Sequence, residues 1–279
     1  MKDTAALDMP TSPIAAVTNY RHRKILEMVF ERGTVSAQEL AREFAVSPIT
    51  IRRDLQALAD DELVERTRGG ARRRPDHQLE SMFESKDRTA RREKAAIGRH
   101  VAALIPEHET VFLNGGSTTL EVVRHLEGRH VRVITNNAAC LGLELGTGVE
   151  LILLGGEYRR QSRSLVGPLT VAALQTVFSG LTVLGINGVS VRRGCTTAVQ
   201  PETAVNQAMI ANTSGRVVIV ADHHKLGHVS SFLTCPLDRA DLLVTDWRAS
   251  TAACDELRAA GMTVERVADE SHATHTPKT

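Results

Sequence analysis

Two stretches of this chain carry residue types at spacings that could do chemistry. The first is Asn114-Gly115-Gly116-Ser117-Thr118-Thr119. Its glycines let backbone N–H groups approach an anion, and its hydroxyls add donors. A helix opening behind it would aim its positive end at the same spot. That combination suits a phosphate monoester. It lacks the Gly-Lys-Ser/Thr of a nucleotide P-loop, and a plain strand-to-helix turn with a Ser/Thr cap would read the same way.

The second stretch is Val46–Leu58, VSPITIRRDLQAL. Ser47 is a good N-cap, and Pro48 suits a first helical position, where its missing N–H costs nothing. Ile51, Leu55 and Leu58 form one apolar stripe. The opposite face holds Ile49, Arg53 and Gln56, flanked by Thr50, Arg52 and Ala57. An arginine can fork onto guanine O6 and N7, and Ile49 or the Thr50 methyl can touch a thymine methyl. The plain alternative is an amphipathic surface helix, so the flanking elements must decide.

A chain of 279 residues predicts two domains. A hydrophobic share of 42% suits a globular protein with a real core. Net charge is only +1, but the basic residues are unevenly placed. Arg66, Arg68, Arg72, Arg73 and Arg74 crowd together, and Lys86, Arg88, Arg91, Arg92 and Lys94 follow. Such a local basic zone is what phosphate contact needs. Cys140, Cys195, Cys235 and Cys254 lie far apart without a CxxC, which argues against a zinc knuckle or disulfide scaffold and fits the cytoplasm. No apolar run approaches the roughly 18–20 residues of a membrane helix, and no signal-peptide core opens the chain.

The first nineteen residues mix Thr, Ser, Pro and Ala without periodicity, so 1–19 reads as a flexible arm. Ile25, Leu26, Val29 and Phe30 predict a helix from Tyr20 that stops at Gly33. Thr34–Ser36 is extended, and Ser36 with Glu39 forms a capping box for a helix over Ala37–Phe44. A tight turn then leads into the Val46–Leu58 stretch, the signature of a helix-turn-helix. Leu63–Arg72 reads as a strand, a Gly69-Gly70 turn and a basic return strand, hence a wing. The expected unit spans 20–74. Its DNA-contacting set is Ser47, Ile49, Thr50, Arg52, Arg53, Gln56, Arg66, Arg68 and Arg72. A winged helix used for protein contact is the alternative, against which the arginines argue.

A polar linker is expected over 75–87 and a second domain over 88–268, with a polar tail at 269–279. Lys86–Leu104 reads as one helix. Apolar runs then recur at Val111–Leu113, Val131–Thr135, Val149–Leu154, Leu181–Ile186, Val217–Ala221, Leu242–Thr245 and Thr263–Val267. Helical patterns lie between them at Thr118–Leu126, Ala138–Leu145, Leu169–Phe178, Thr203–Ala211 and Thr251–Ala260. This α/β alternation implies a mostly parallel open sheet with right-handed crossovers. The fold class is therefore α/β, an N-terminal winged helix-turn-helix joined to an open parallel sheet.

Ligands of such sheets sit beyond the carboxyl ends of the strands. Here those ends carry Asn114–Thr119, Asn136-Asn137, Gly155-Gly156-Glu157-Tyr158-Arg159, Asn187-Gly188, Asp222-His223-His224-Lys225 and Asp246. Together they describe a polar pocket for a small hydroxylated ligand. The expected contacts are Asn114, Gly115, Gly116, Ser117, Thr118, Thr119, Asn136, Asn137, Asn187, Asp222 and Lys225, with Lys225 as countercharge. No cofactor or metal is expected. His223 and His224 could be bases or ligands, but adjacent side chains of an extended segment point apart and do not readily share one ion.

The run Val46-Ser47-Pro48-Ile49-Thr50-Ile51-Arg52-Arg53-Asp54-Leu55, with Arg66-Thr67-Arg68-Gly69-Gly70-Ala71, resembles the DeoR family of bacterial transcription regulators. That family reads VSxxTIRRDL in its helix and R-x-x-G-G-A in its wing. The resemblance continues through Asn114–Thr119, Thr135-Asn136, Gly155-Gly156 with Ser164–Pro168, Gly185–Gly188, and Asp222–Lys225 with Gly227. It implies a repressor that grips double-stranded operator DNA as a homo-oligomer. It also implies a phosphorylated sugar or related metabolite as effector, and a sensor fold shared with sugar-phosphate isomerases. Asn114 and Asn187 stand where the family has Asp, and His223-His224 where it has small hydroxyl residues. Two carboxylates are thereby removed, which favours a different hydroxyl pattern or a more anionic ligand.

The rival class is an isomerase, which needs a carboxylate base beside a carbonyl-activated C–H. Asn114 and Asn187 cannot serve, while Glu157, Glu202, Asp222 and Asp246 remain. No catalytic residue is assigned. An RNA-binding role is disfavoured by an aromatic share of 3%. Release from DNA by ligand is the expected sign of control, and ligand-dependent activation would use the same physics.

Overall fold

The computed structural model describes residues 20–60, 63–72 and 83–269. The arm expected over 1–19, Arg73, Arg74, most of the expected linker and the tail from 270 lie outside them. The chain forms two compact units, Met1–Leu79 and Glu80–Thr279.

The first unit runs α1 (Tyr20–Arg32), β1 (Thr34–Ser36), α2 (Ala37–Glu43), α3 (Pro48–Asp60), β2 (Glu65–Thr67) and β3 (Gly70–Arg72). Gly33, at φ 73°, follows the end of α1 in the left-handed conformation that terminates helices. The capping box at α2 is complete. Glu39 N donates to Ser36 Oγ at 3.1 Å, and Ser36 N donates to Glu39 Oε2 at 3.0 Å. The three strands pair antiparallel in the order β1-β3-β2. Ile25, Leu26, Val29, Leu40, Ile51, Leu55 and Leu58 fill the core. The wing turn differs from expectation. Gly70 opens β3 opposite Ser36 and Thr67, so Arg68 and Gly69 make the turn, not the glycine pair.

Helix α3 buries Ile51, Leu55 and Leu58, and with them Asp54. Arg21 of α1 forks onto Asp54 at 2.6 and 3.1 Å, and His22 Nε2 lies 3.0 Å from the same carboxylate. Burial would raise the Asp54 carboxyl, but the hydrogen bonds and charges of Arg21 and His22 outweigh it and hold it below its ordinary value. Asp54→Ala should lower the stability of this unit by about 1.5–3 kcal/mol, read from the denaturant midpoint of its transition. In the parent chain the same contribution is whole above about pH 4 and lost as pH falls through the depressed value.

The second unit contains α4 (Phe83–Arg88), α5 (Arg91–Leu104), β4 (Thr110–Leu113), α6 (Ser117–Arg124), β5 (Val131–Thr135) and β6 (Val149–Leu153). There follow β7 (Glu157–Arg159), β8 (Ser164–Val166), α7 (Pro168–Leu174), β9 (Ser179–Gly185), β10 (Gly188–Ser190) and β11 (Gly194–Thr197). The chain continues with α8 (Gln200–Ala211), β12 (Thr213–Val220), β13 (Phe232–Cys235), β14 (Leu242–Thr245), α9 (Thr251–Ala259) and β15 (Val264–Arg266). Seven parallel strands form one sheet in the order β15-β14-β12-β9-β4-β5-β6.

Successive residues of each strand enter opposite layers, as the pleat requires. Val111, Leu113, Val183, Val218, Val220 and Val244 pack with Ile97 and Val101 of α5 and Leu120 and Val123 of α6. Phe112, Leu184, Ile219 and Leu243 pack on the other face with Leu174, Val205, Met209 and Leu257. Both faces are covered, which explains the continuous apolar runs.

Three helical expectations need correction. The helix read over Lys86–Leu104 is two, because Ala90 at φ 52° breaks it between α4 and α5. Ala138–Gly142 is a single 3-10 turn capped by the Asn137 side chain, not an α-helix to Leu145. Helix α7 ends at Leu174, short of Phe178. The β7–β8 hairpin and the antiparallel sheet β10-β11-β13 were not anticipated. Their three- and four-residue strands offer too short a pattern to read. No helix among the described residues is long and apolar enough to cross a membrane.

Candidate functional site

In the first unit, α3 presents Ile49, Arg52, Arg53 and Gln56 to solvent, with Thr50 half-buried beside them. Ile49 is 63% exposed, a large apolar side chain that the core does not claim. Ser47 Oγ accepts from Thr50 N at 3.1 Å and lies 2.9 Å from the Thr50 hydroxyl, so both are tied to the helix start. Gln56 donates to Asp60 at 2.8 Å. Asp54 is turned onto α1, which keeps its carboxylate off the outer face. In the wing, Arg68 is exposed at the turn and Arg66 half-buried. Arg72 instead forks onto Glu65 across the hairpin at 2.9 and 2.6 Å. Arg52 and Arg53 on α3 and Arg68 in the wing are exposed cations.

In the second unit the chain leaves β4 toward β5 and β6, then returns to β9 on the other flank of β4. Strand order therefore reverses between β4 and β9, and the crevice beyond their carboxyl ends is the expected ligand position. Asn114 lies there, 3% exposed. Its Nδ2 donates to Gly185 O and to Asn206 Oδ1, both at 2.9 Å, while Oδ1 accepts from Gly185 N at 2.8 Å. Both amide hydrogens are taken up by the protein, so Asn114 ties β4 to β9 and α8. Thr119 is likewise engaged, donating to Asn114 O at 2.7 Å.

The remaining residues of the loop are placed differently. Helix α6 begins at Ser117 behind Gly116, with no side-chain cap on its first turn. The Ser117 and Thr118 hydroxyls make no hydrogen bond among the described residues, although both side chains are largely buried. Gly115 N donates to Asn136 Oδ1 at 2.8 Å, and Asn137 Nδ2 donates to Gly116 O at 2.9 Å. These bonds hold the loop open against β5. A Cβ on Gly115 would lie 2.7 Å from Ser164 Cβ, so glycine is required for this close approach. Asn187 sits at the β9 end, where Oδ1 accepts from Ala198 N at 3.0 Å.

Several groups escaped the sequence-based set. Ser164 donates to Glu202 at 3.1 Å, and Arg159 Nε lies 3.6 Å from the same carboxylate. Lys94 on α5 is 4% exposed, donates to the Lys86 carbonyl, and lies 3.9 Å from Asp222 Oδ2. Burial pushes its ammonium down to about 8 against the pull of Asp222. A buried lysine within an apolar and basic run has no local signal that marks its distant partner.

The His223-His224 expectation is corrected. Residues 223–225 form a 3-10 turn behind Asp222, not an extended segment, and the two imidazoles lie 3.9 Å apart. His223 N donates to Asp246 Oδ2 at 2.7 Å, and His223 Nδ1 lies 3.1 Å from both Asp246 oxygens. Burial and the neighbouring His223 lower the His224 imidazole.

Comparison with known proteins matches both units. The DeoR-like helix-turn-helix domain matches residues 21–75, and the DeoR C terminal sensor domain matches residues 89–247. The chain is 34% identical to the glycerol-3-phosphate regulon repressor of Escherichia coli, covering 81% of this chain and 90% of that protein. It is 32% identical to the HTH-type transcriptional repressor GlcR of Bacillus subtilis, covering 84% and 90%. It is 33% identical to the transcriptional repressor AccR of Agrobacterium fabrum, covering 82% and 90%. Ribose 5-phosphate isomerase A of Methanocaldococcus jannaschii overlaps 49% of this chain and 55% of its own at TM-score 0.35 and 14% identity, too slight a likeness to inform the site. With its helix-turn-helix unit, its parallel-sheet unit and these matches over most of its length, the chain belongs to the DeoR family of helix-turn-helix transcriptional regulators.

Proposed function

We propose that this regulator represses carbohydrate-metabolism genes and leaves its operator when a phosphorylated sugar or related metabolite binds the second unit. The uncapped first turn of α6 beside Gly115 and Gly116 carries this reading. It sits at the strand-order reversal, offers backbone N–H groups and free hydroxyls, and has the positive helix end behind it. The names of the repressor relatives support the same class of control. The reading assigns DNA contact to 20–74 and sensing to 88–268, in a cytoplasmic homo-oligomer whose paired winged helices meet repeated half-sites. Ligand and DNA favour different states of one oligomer, so each weakens the other.

Fluorescence anisotropy on DNA from upstream of the protein's own gene tests this, with a panel of sugar phosphates and the matching free sugars. Release by one phosphate and not by its free sugar is the expected result. Tight DNA binding that no phosphate alters would overturn the effector assignment and leave the DNA half standing. On the same DNA, Arg53→Ala should weaken operator binding by about 1–3 kcal/mol relative to random DNA. An equal loss on both would reduce Arg53 to a phosphate contact.

A further inference from the structure

Among the described residues, Asp222, His223 and His224 form the one group of three potential metal ligands. One donor atom from each lies within 4.8 Å of the others. Asp222 is buried at the end of β12, and its Oδ1 accepts from His224 N at 3.1 Å, which fixes the turn. The fully buried Asp246 holds His223 through the backbone N–H and Nδ1. Asp246 is itself fixed by Arg248 N at 2.9 Å. With Nδ1–H directed at that carboxylate, the lone pair of His223 lies on Nε2. That nitrogen is buried and has no hydrogen-bond partner.

A buried imidazole nitrogen without a partner is costly unless something fills the place. A carboxylate on the far nitrogen is the arrangement that orients and strengthens metal-binding histidines. We propose that Asp222, His223 and His224 bind one divalent transition-metal ion, Zn²⁺ or a chemically similar ion, with Asp246 as the residue that positions His223. Two imidazoles and one carboxylate match that ion class, whereas Mg²⁺ and Ca²⁺ take oxygen ligands. Lys94, 3.9 Å from Asp222 Oδ2, holds the place of a countercharge, and the ion displaces it from that carboxylate. Lys225 and Arg248 add positive charge nearby, so the affinity is moderate, not that of a structural zinc site. Three protein ligands leave a coordination position for an oxygen of a small ligand. That last role rests on the effector pocket proposed above, while ion binding itself does not.

The test uses tag-free, chelator-treated full-length protein without DNA or sugar. Co²⁺ is titrated while visible absorption and the fluorescence of Trp247 are followed. Trp247 is the chain's one tryptophan and adjoins Asp246. The expected result is one Co²⁺ per chain with a ligand-field band, displaced by Zn²⁺. His223→Ala should abolish this site, and Asp246→Asn should weaken it roughly 10–100-fold. Circular dichroism and DNA binding report whether each variant folds. If His223→Ala does not, His224→Ala replaces it, since that ring is more exposed. No stoichiometric uptake at micromolar Co²⁺, or uptake that persists in the folded variant, overturns the proposal. Uptake without any sugar-phosphate response would sink the effector reading and leave the metal site intact.

Discussion

Ser117→Asp is expected to abolish release from DNA by the effector while leaving operator binding in its absence nearly unchanged. Ser117 is the first residue of α6, 5% exposed, and its hydroxyl makes no hydrogen bond among the described residues. A carboxylate there meets the positive end of the helix and stabilises it by about 0.3–1 kcal/mol. That gain offsets part of the cost of burying the charge, and circular dichroism of the variant checks that the fold is kept. The same charge occupies the place that an anionic ligand would take and repels a phosphate. The dissociation constant for the effector should rise on the order of 100-fold, about 2.8 kcal/mol. Ser117→Ala should lose far less, because the backbone N–H groups remain. Anisotropy titration of the DNA complex with the identified effector distinguishes these outcomes. An unaltered response in the Asp variant would remove the Asn114–Thr119 loop from the effector site.

Gly70→Ala should cripple the DNA-binding unit by a different route. A Cβ at Gly70 would lie 1.9 Å from the Val35 carbonyl oxygen and 2.8 Å from Ser36 Cα. Both are backbone atoms of β1, and no side-chain rotation relieves the clash. Strands β1 and β3 must part, which breaks the pairing of Ser36 with Gly70. It also disturbs the bond from Ala37 N to Gly69 O, 2.7 Å, at the start of α2. The expected loss is roughly 1–3 kcal/mol of stability in this unit. Operator affinity should fall more than tenfold as the wing arginines lose their placement. Gly69→Ala is the control, since nothing lies within 4 Å of a Cβ there. Denaturant melts of the two variants, read with DNA anisotropy, check both claims. Equal behaviour would show that the wing tolerates the parted strands.

The elements that were legible in the chain are those whose signal is local. Ile51, Leu55 and Leu58 recur at helical spacing, and Ser36 with Glu39 caps a helix three residues apart. The seven apolar runs between Val111 and Val267 became the seven parallel strands. The inner runs are continuous because a strand buried on both faces needs it, while the edge strand β6 leaves Ile152 39% exposed. Strands such as Gly188–Ser190 carry no such run and stayed hidden. The helix break at Ala90 was equally silent, since alanine favours the helix it interrupts there.

Chain-local chemistry also located the glycine-rich loop and the arginine-bearing helix. What the loop residues touch was decided by strand order. Only the placement of β9 and α8 beside β4 brings Gly185 and Asn206 to Asn114 and makes that side chain a cross-link within the unit. Only the packing of α1 on α3 turns Asp54 inward to Arg21. Only the neighbouring β14 supplies Asp246 to His223 and frees its Nε2. Periodicity and capping act over a few residues along the chain. Hydrogen-bond partners, burial and shifted acidities depend on residues brought together from 32, 71 or 92 positions away, and those distances are closed by the tertiary fold alone.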